Sequence, residues 1–364
     1  KLVSALWEQL RVPEQELYED LLLFAGFATV GDVMDLTGEN RILVKEALKL
    51  LKTTSHPGIS ALIEVNEISR ETISAFHIGF VLGPCINASG RLDTAKRALE
   101  LLKTTDYEKA LVKAAELKAL NDERKSMTDD GVQQALDQIE NSDMKRDRVL
   151  VIYLPDCHES LAGIIAGRIR ERYYRPVFVL TRSQDGVKGS GRSIETYSMF
   201  EEMSKCKELY TKYGGHSMAA GVSMPEEHVE KFRKRLNELC TLTEKDLTEV
   251  VRIDIAMPFS YVSERLVEEL SLLEPFGKGN SKPVFAAKGV QVLETRVLGK
   301  NQNVLRLKLK DESGTTMDGI YFSDQMNEVL KTMQQKPRLA FLYYPEINEF
   351  RGQRTLQLRI LDYC

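Results

Sequence analysis

Two glycine-punctuated stretches, Lys188-Gly-Ser-Gly-Arg-Ser193 and Tyr213-Gly-Gly-His-Ser-Met-Ala-Ala-Gly221, constrain this chain more than any other feature. The first follows a predicted hairpin: a strand-like run, Pro176–Arg182, an Asp185-Gly186 turn and then a second strand. Glycines flanking Ser190 and Arg192 let the backbone approach a ligand while a hydroxyl and a guanidinium point at it. A guanidinium forks onto phosphate oxygens and backbone N–H groups complete the cradle, so a phosphate-binding loop is expected, with Ser193 as a further hydroxyl. In the second stretch Gly214 and Gly215 permit φ > 0 and present His216 from a sharp turn before a small-residue strand. A Gly-Ser-Gly alone is usually just a loop; the two in order, after a strand–helix–hairpin unit, are specific.

A length of 364 residues suggests two or three domains. The net charge of −4 excludes a generic polycation, so any nucleic acid must be held by local patches. Two stand out: residues 168–192, with seven Arg/Lys against Glu171 and Asp185, and residues 296–310, with Arg296, Lys300, Arg306, Lys308 and Lys310 and no acid. Solvated basic faces are the alternative for each. Five scattered cysteines without a Cys-x-x-Cys indicate neither a disulfide framework nor a thiolate zinc site, which fits a reducing cytoplasm. The longest apolar run, Leu21 to Val30, is too short to cross a bilayer, so no membrane is expected.

Residues 1–105 read as mostly helical, beginning inside an amphipathic run, Lys1–Leu10. Residues 106–143 are charge-rich and free of Pro, predicting one or two long exposed helices that bridge domains. Residues 144–245 predict an α/β module: a strand at 148–154, a helix at 160–174 carrying Gly163 and Gly167 on one face, the hairpin, and further helices near 198–209 and 226–240. From about 246 to 364, short alternating runs separated by turns predict a small β-barrel with one helix at 325–334. Tyr321, Phe322, Tyr343, Tyr344 and Phe350 are candidate platforms for bases, although at most half can face a ligand because neighbouring strand residues point oppositely.

Other residues invite chemistry. Asp32 follows an apolar helix, where an unpaired buried carboxylate is costly, so a partner is expected. An N-cap or ion-paired role is the alternative. Asn87 and Arg91, four apart in an Asn-Ala-Ser-Gly-Arg loop, suit phosphate or sugar contacts. Otherwise Asn87 caps a helix and Arg91 pairs with Asp93. His158 either contacts substrate or organises the start of the helix after it. His216 suits a phosphate oxygen, with a structural role as the alternative.

The order Gly-Ser-x-Arg-Ser then Gly-Gly-His-x-x-Ala-Ala-Gly resembles the DHH-associated domain of the DHH phosphoesterases. Gly83-Pro-Cys-Ile-Asn-Ala-Ser-Gly-Arg-Leu-Asp93 and Leu273-Glu-Pro-Phe-Gly-Lys-Gly-Asn280 are similar to signatures of the bacterial RecJ family of single-strand exonucleases. The family's Asp-x-Asp and Asp-His-His motifs occur nowhere in the 364 residues. The resemblance implies an α/β multidomain protein: the C-terminal part of a DHH catalytic domain (1–105), a helical connector (106–143), a DHH-associated domain (144–245) and an OB fold (246–364). It implies a fragment, inactive alone, of a 5′→3′ exonuclease hydrolysing single-stranded DNA in recombination and repair. It makes Asp32 a metal ligand in a two-metal Mn²⁺ or Mg²⁺ centre that is incomplete here, although Gly31 and Asp35 depart from the family pattern. His216 is then catalytic, and Asn87, Arg91, His158, Ser190, Arg192, Ser193 and Gly215 bind substrate. Single-strand-binding protein and a RecQ-type helicase are the implied partners. The alternatives are a DHH phosphodiesterase for oligoribonucleotides or cyclic dinucleotides, or a non-catalytic single-strand-binding scaffold.

Overall fold

The computed structural model describes residues 15–364 apart from 300, 324 and 351. The run Lys1–Leu10, Lys300 of the second basic patch and the side chain of Phe350 lie outside the described residues. The chain divides into two compact units, Thr53–Val250 and the described residues up to Lys52 with Val251–Cys364.

Helices α1 (Gln15–Gly31) and α2 (Gly38–Thr53) open the chain. The Thr53–Val250 unit continues with α3 (Pro57–Val65), a π-helical turn at Ile78–Leu82, α4 (Gly83–Leu92), α5 (Lys96–Lys103) and α6 (Tyr107–Glu140). Asp106 caps α6 by accepting the Lys109 N–H at 3.1 Å. The expectation of a purely exposed connector fails for α6. Ala110, Ala114, Leu117, Asn121, Thr128, Gly131 and Ala135 form a buried stripe of mostly small residues at helical spacing, and small side chains let neighbouring helices approach closely.

Beyond α6 comes a five-stranded sheet of β1 (Leu150–Tyr153), β2 (Val177–Ser183), β3 (Gly186–Arg192), β4 (Lys212–His216) and β5 (Ala219–Met224), in the order β1-β2-β3-β5-β4. α7 (Ala162–Tyr173) crosses between the parallel pair β1 and β2; α8 (Met199–Ser204) and α9 (Val229–Leu239) complete the module. The strand period of two sorts its core. Leu150, Ile152, Val177 and Val179 pack with α7 and the end of α6, whereas Val151, Phe178 and Leu180 pack with Met199, Phe232 and Leu236.

The other unit carries β6 (Ile255–Ala256), α10 (Glu264–Ser271), β7 (Phe285–Leu298), β8 (Val304–Lys310), β9 (Thr316–Phe322), α11 (Met326–Gln335), β10 (Leu339–Phe350) and β11 (Gln353–Tyr363). The strand order is β10-β11-β9-β8-β7-β6, and β10 also pairs with β7. Most of the aromatic candidates are core here. Tyr343 is fully buried with its hydroxyl donating to the Met257 carbonyl at 2.6 Å, Tyr344 is buried, and Tyr321 packs against the same cluster. Phe322 is the exposed one among the described candidates, with the Arg359 guanidinium 3.9 Å from its ring centre. Arg306, Lys308 and Lys310 share the exposed face of β8, where Asp318 pairs Arg306 at 2.9 Å.

Candidate functional site: a cationic sheet face

The Gly-Ser-Gly-Arg stretch is strand β3, not a loop. It pairs antiparallel with β2 on one side and β5 on the other, so its backbone amides serve the ladder and offer no phosphate cradle. The side chains carry the chemistry. Residues opposite one another across strands share a face, and the registers align Lys188 with Ser223 and Lys212, Ser190 with Gly221 and Gly214, and Arg192 with Ala219 and His216. One face thus bears cationic or hydroxyl groups along β3, small residues along β5, and Lys212 and His216 on β4. At adjacent-strand spacings of about 4.8 Å, Arg192 and His216 stand roughly 10 Å apart at their backbones. A cleft of about 320 Å³ opens there, with Glu159, Ser160, Lys188, Ser190, Lys212 and Ser223 in its lining. A side chain at Gly214 would meet nothing within 4 Å, so the floor is open.

Helix α7 shapes the other wall. A Cβ at Gly163 would lie 2.7 Å from Arg192 Nη2 and 3.0 Å from the Ser190 hydroxyl. Arg192 Nη1 donates to that hydroxyl at 3.0 Å and to the Gly191 carbonyl at 2.8 Å. No carboxylate pairs with it among the described residues. Burial, then the nearby Arg91 and Arg170, lowers its pKa, the signature of a guanidinium in an electropositive, partly dry setting. Arg91 Nη1 donates to the Ser160 carbonyl at 3.0 Å and so stands at the cleft rim.

Asn87 and Arg91 sit on α4 rather than in a loop. Asp93 pairs with Arg97 at 2.6 Å, leaving Arg91 without that acid, and exposed Asn87 has no side-chain partner among the described residues. His158 accepts the Ser160 N–H at 3.3 Å through Nδ1 and so organises the turn leading into α7. His216 Nδ1 accepts the Met218 N–H at 3.2 Å, which leaves Nε2 to carry the proton of the neutral ring. At Gly215 a Cβ would fall 2.3 Å from the Ala219 carbonyl, so only glycine closes this hairpin.

Ser193 is a correction. It is 1% exposed and donates to the Tyr197 carbonyl at 2.6 Å, so it serves the fold and cannot reach a ligand. The basic patch at 168–192 is also largely spent: Arg168 pairs with Asp129, Arg170 with Glu171, and Lys188 with Glu159. The sequence reading missed Arg124. Its Nε and Nη2 donate to Asn121 Oδ1 at 3.2 and 3.0 Å, and its pKa is lowered by burial, then by Arg91 and Arg168. The signal was legible: Arg124 interrupts the small-residue stripe of α6 between Asn121 and Thr128.

Asp32 lies in the other unit, just past α1, and is exposed without a partner among the described residues, contrary to the expectation of burial. Its turn is a Schellman closure: Met34 N–H reaches the Thr29 carbonyl and Val33 N–H the Val30 carbonyl, both at 3.0 Å. The left-handed position falls on Val33, φ 54°, where glycine is usual. The Leu273–Asn280 segment anchors the next residues. Leu36 N–H donates to the Lys278 carbonyl at 2.6 Å, Lys278 pairs with Asp35 at 3.0 Å, and Arg41 Nη2 donates to the carbonyls of Leu272, Leu273 and Glu274. A free carboxylate suits a hard divalent ion. Among the described residues, however, no three His, Cys, Asp or Glu side chains cluster, so they do not by themselves build a metal centre.

Comparisons with known proteins agree with this architecture. Residues 146–242 match the DHHA1 domain model and residues 253–362 the RecJ OB domain model. The chain is 31% identical over 356 residues to the single-stranded-DNA-specific exonuclease RecJ of Bacillus subtilis, covering 95% of this chain and 44% of that one. It is 34% identical to the Escherichia coli protein of the same description, covering 94% and 60%. The crystal structure of RecJ in complex with Mg²⁺ from Thermus thermophilus superposes with a TM-score of 0.83 at 28% identity, covering 99% of this chain and 54% of that one. The Mn²⁺ complex from the same organism gives 0.81, covering 99% and 51%. The chain therefore spans about half the length of the relatives it matches, and over nearly its whole length it is similar to part of RecJ.

Proposed function

We propose that this chain forms the 5′-end-gripping and strand-guiding part of a single-stranded-DNA exonuclease acting 5′→3′. The observation that carries the reading is the cationic face: Arg192 and Ser190 against Gly163, with Arg91 and Arg124 nearby and no carboxylate on any of the three guanidiniums among the described residues. Partly buried guanidiniums without a carboxylate, as Arg192 and Arg124 are among the described residues, are expensive unless an anion completes them. A terminal phosphate held by Arg192, Ser190 and Arg91 fixes which phosphodiester is presented for cleavage. The His216 Nε2–H donates to a neighbouring phosphate oxygen, and the glycine floor admits the backbone of one strand but not a duplex. His158 and Gly215 support the site by shaping its turns.

Relatives described as single-stranded-DNA-specific exonucleases, solved with Mg²⁺ or Mn²⁺, support a divalent-metal hydrolase. When bound, such ions activate water and stabilise the leaving oxygen. Asp32 would supply one carboxylate to them, the remaining ligands coming from outside the described residues. The pairing of β10 with both β11 and β7 supports a closed OB barrel whose β8 lysines track the strand. We read the domains as 1–105, 106–143, 144–245 and 246–364, with single-strand-binding protein and a RecQ-type helicase as implied partners in the cytoplasm. The test is degradation of 3′-labelled single strands by the full-length protein with Mn²⁺. Mononucleotides released from the 5′ end, with duplex resistant, are expected; release from the 3′ end or equal attack on duplex would overturn the reading.

A further inference from the structure

Pro84 has no N–H to donate to the Phe80 carbonyl, and its ring would clash with that carbonyl in a regular helix. The helix bulges instead. Residues 78–82 adopt a π-helical turn, closed by the Gly83 N–H donating to the Ile78 carbonyl. Gly83 is required there, since a Cβ would come within 2.7 Å of that oxygen. Phe76, one turn before it, and Phe80, within it, stack with ring centres 5.0 Å apart and planes 26° from parallel. Both are exposed, at 60% and 68%, an unusual placement for two phenyl rings that the fold does not use.

The turn runs without a break into α4, where Asn87 and Arg91 are exposed as Phe76 and Phe80 are. At 1.5 Å per residue, Phe80 lies roughly 16 Å along the helix from Arg91. One unbroken helical run therefore carries an exposed aromatic stack at one end, an exposed amide between, and at the other a guanidinium that has no carboxylate partner among the described residues. That sequence of groups complements a single nucleic-acid strand, whose bases need a flat apolar surface while its phosphates need cations. A protein or lipid partner would use the rings but would leave Asn87 and Arg91 unexplained.

We infer that the Phe76–Phe80 stack is a base-stacking platform for the strand whose 5′ phosphate is held beside Arg91, a few nucleotides inward from that end. This rests on the 5′-end-gripping reading above. The experiment uses 5′-phosphorylated, 3′-fluorescein-labelled single strands and, in parallel, strands with 2-aminopurine at successive positions from the 5′ end. Wild-type protein should change 2-aminopurine emission most at one or two adjacent internal positions. Phe80→Ala should abolish that positional signal and weaken binding by roughly 10-fold, and Phe80→Trp should restore both. An abasic residue at the responsive position should erase the difference between wild type and Phe80→Ala. If wild type binds the phosphorylated strand but Phe80→Ala binds equally with an unchanged emission pattern, the platform is refuted while the end-gripping reading stands. If wild type binds no phosphorylated single strand, both fall.

Discussion

Gly163 on helix α7 and the guanidinium of Arg192 on strand β3 compete for one volume: a Cβ at 163 would sit 2.7 Å from Arg192 Nη2. The glycine is thus the seat of the arginine. Gly163→Ala should leave stability unchanged or slightly higher, because alanine gains up to about 1 kcal/mol in a helix and the displaced atom ends a flexible side chain. It should nevertheless weaken binding of a 5′-phosphorylated strand. Paired measurements of melting temperature and Kd check this; a large loss of stability, or unaltered binding, contradicts it.

Two neighbouring serines should part company. Ser193→Ala removes a buried hydroxyl donating to the Tyr197 carbonyl at 2.6 Å and should cost about 1–3 kcal/mol of stability without altering affinity for the 5′ phosphate. Ser190→Ala, on the open cleft, should do the reverse. Urea unfolding and strand-binding titrations on both variants separate the roles.

The Asp32 turn carries strain at Val33. Val33→Gly should stabilise the protein by about 1 kcal/mol, since a β-branched residue in the left-handed region costs roughly 1–2 kcal/mol. Asp32→Ala, at an exposed position with no partner among the described residues, should change stability by less than about 0.5 kcal/mol. In the full-length protein it should abolish Mn²⁺-dependent turnover while strand binding persists. Retained turnover would remove Asp32 from the metal site.

How much of this was legible depends on what each residue's neighbours in space contribute. The hairpin, the α/β module and the later alternating strands follow from local period and turn residues, and the structure places them within a few residues of expectation. The turn residues predict the second hairpin strand, but the glycines of Gly-Ser-Gly-Arg look like breakers and suggest a loop beyond it; they lie within that strand, β3, and make room there, Gly189 for Leu180 and Gly191 for Phe178 and Met199. The helix through Gly83-Pro84 was hidden for the same reason, since a π turn absorbs the proline. Ser193 and Ser190 are alike in sequence and differ only in burial, which pairing sets. Arg124 was lost in a charge-rich segment whose buried stripe needed partners to become visible.

The central claim is that Arg192 grips a terminal phosphate. The most direct test compares Kd for 5′-phosphate and 5′-hydroxyl single strands in wild type and Arg192→Ala at fixed salt. A charge-assisted fork is worth about 1.5–3 kcal/mol, so wild type should prefer the phosphorylated end by roughly 10-fold or more and the variant should lose that preference. Equal losses on both strands would contradict the account and make Arg192 a contact to an internal phosphate or a structural residue.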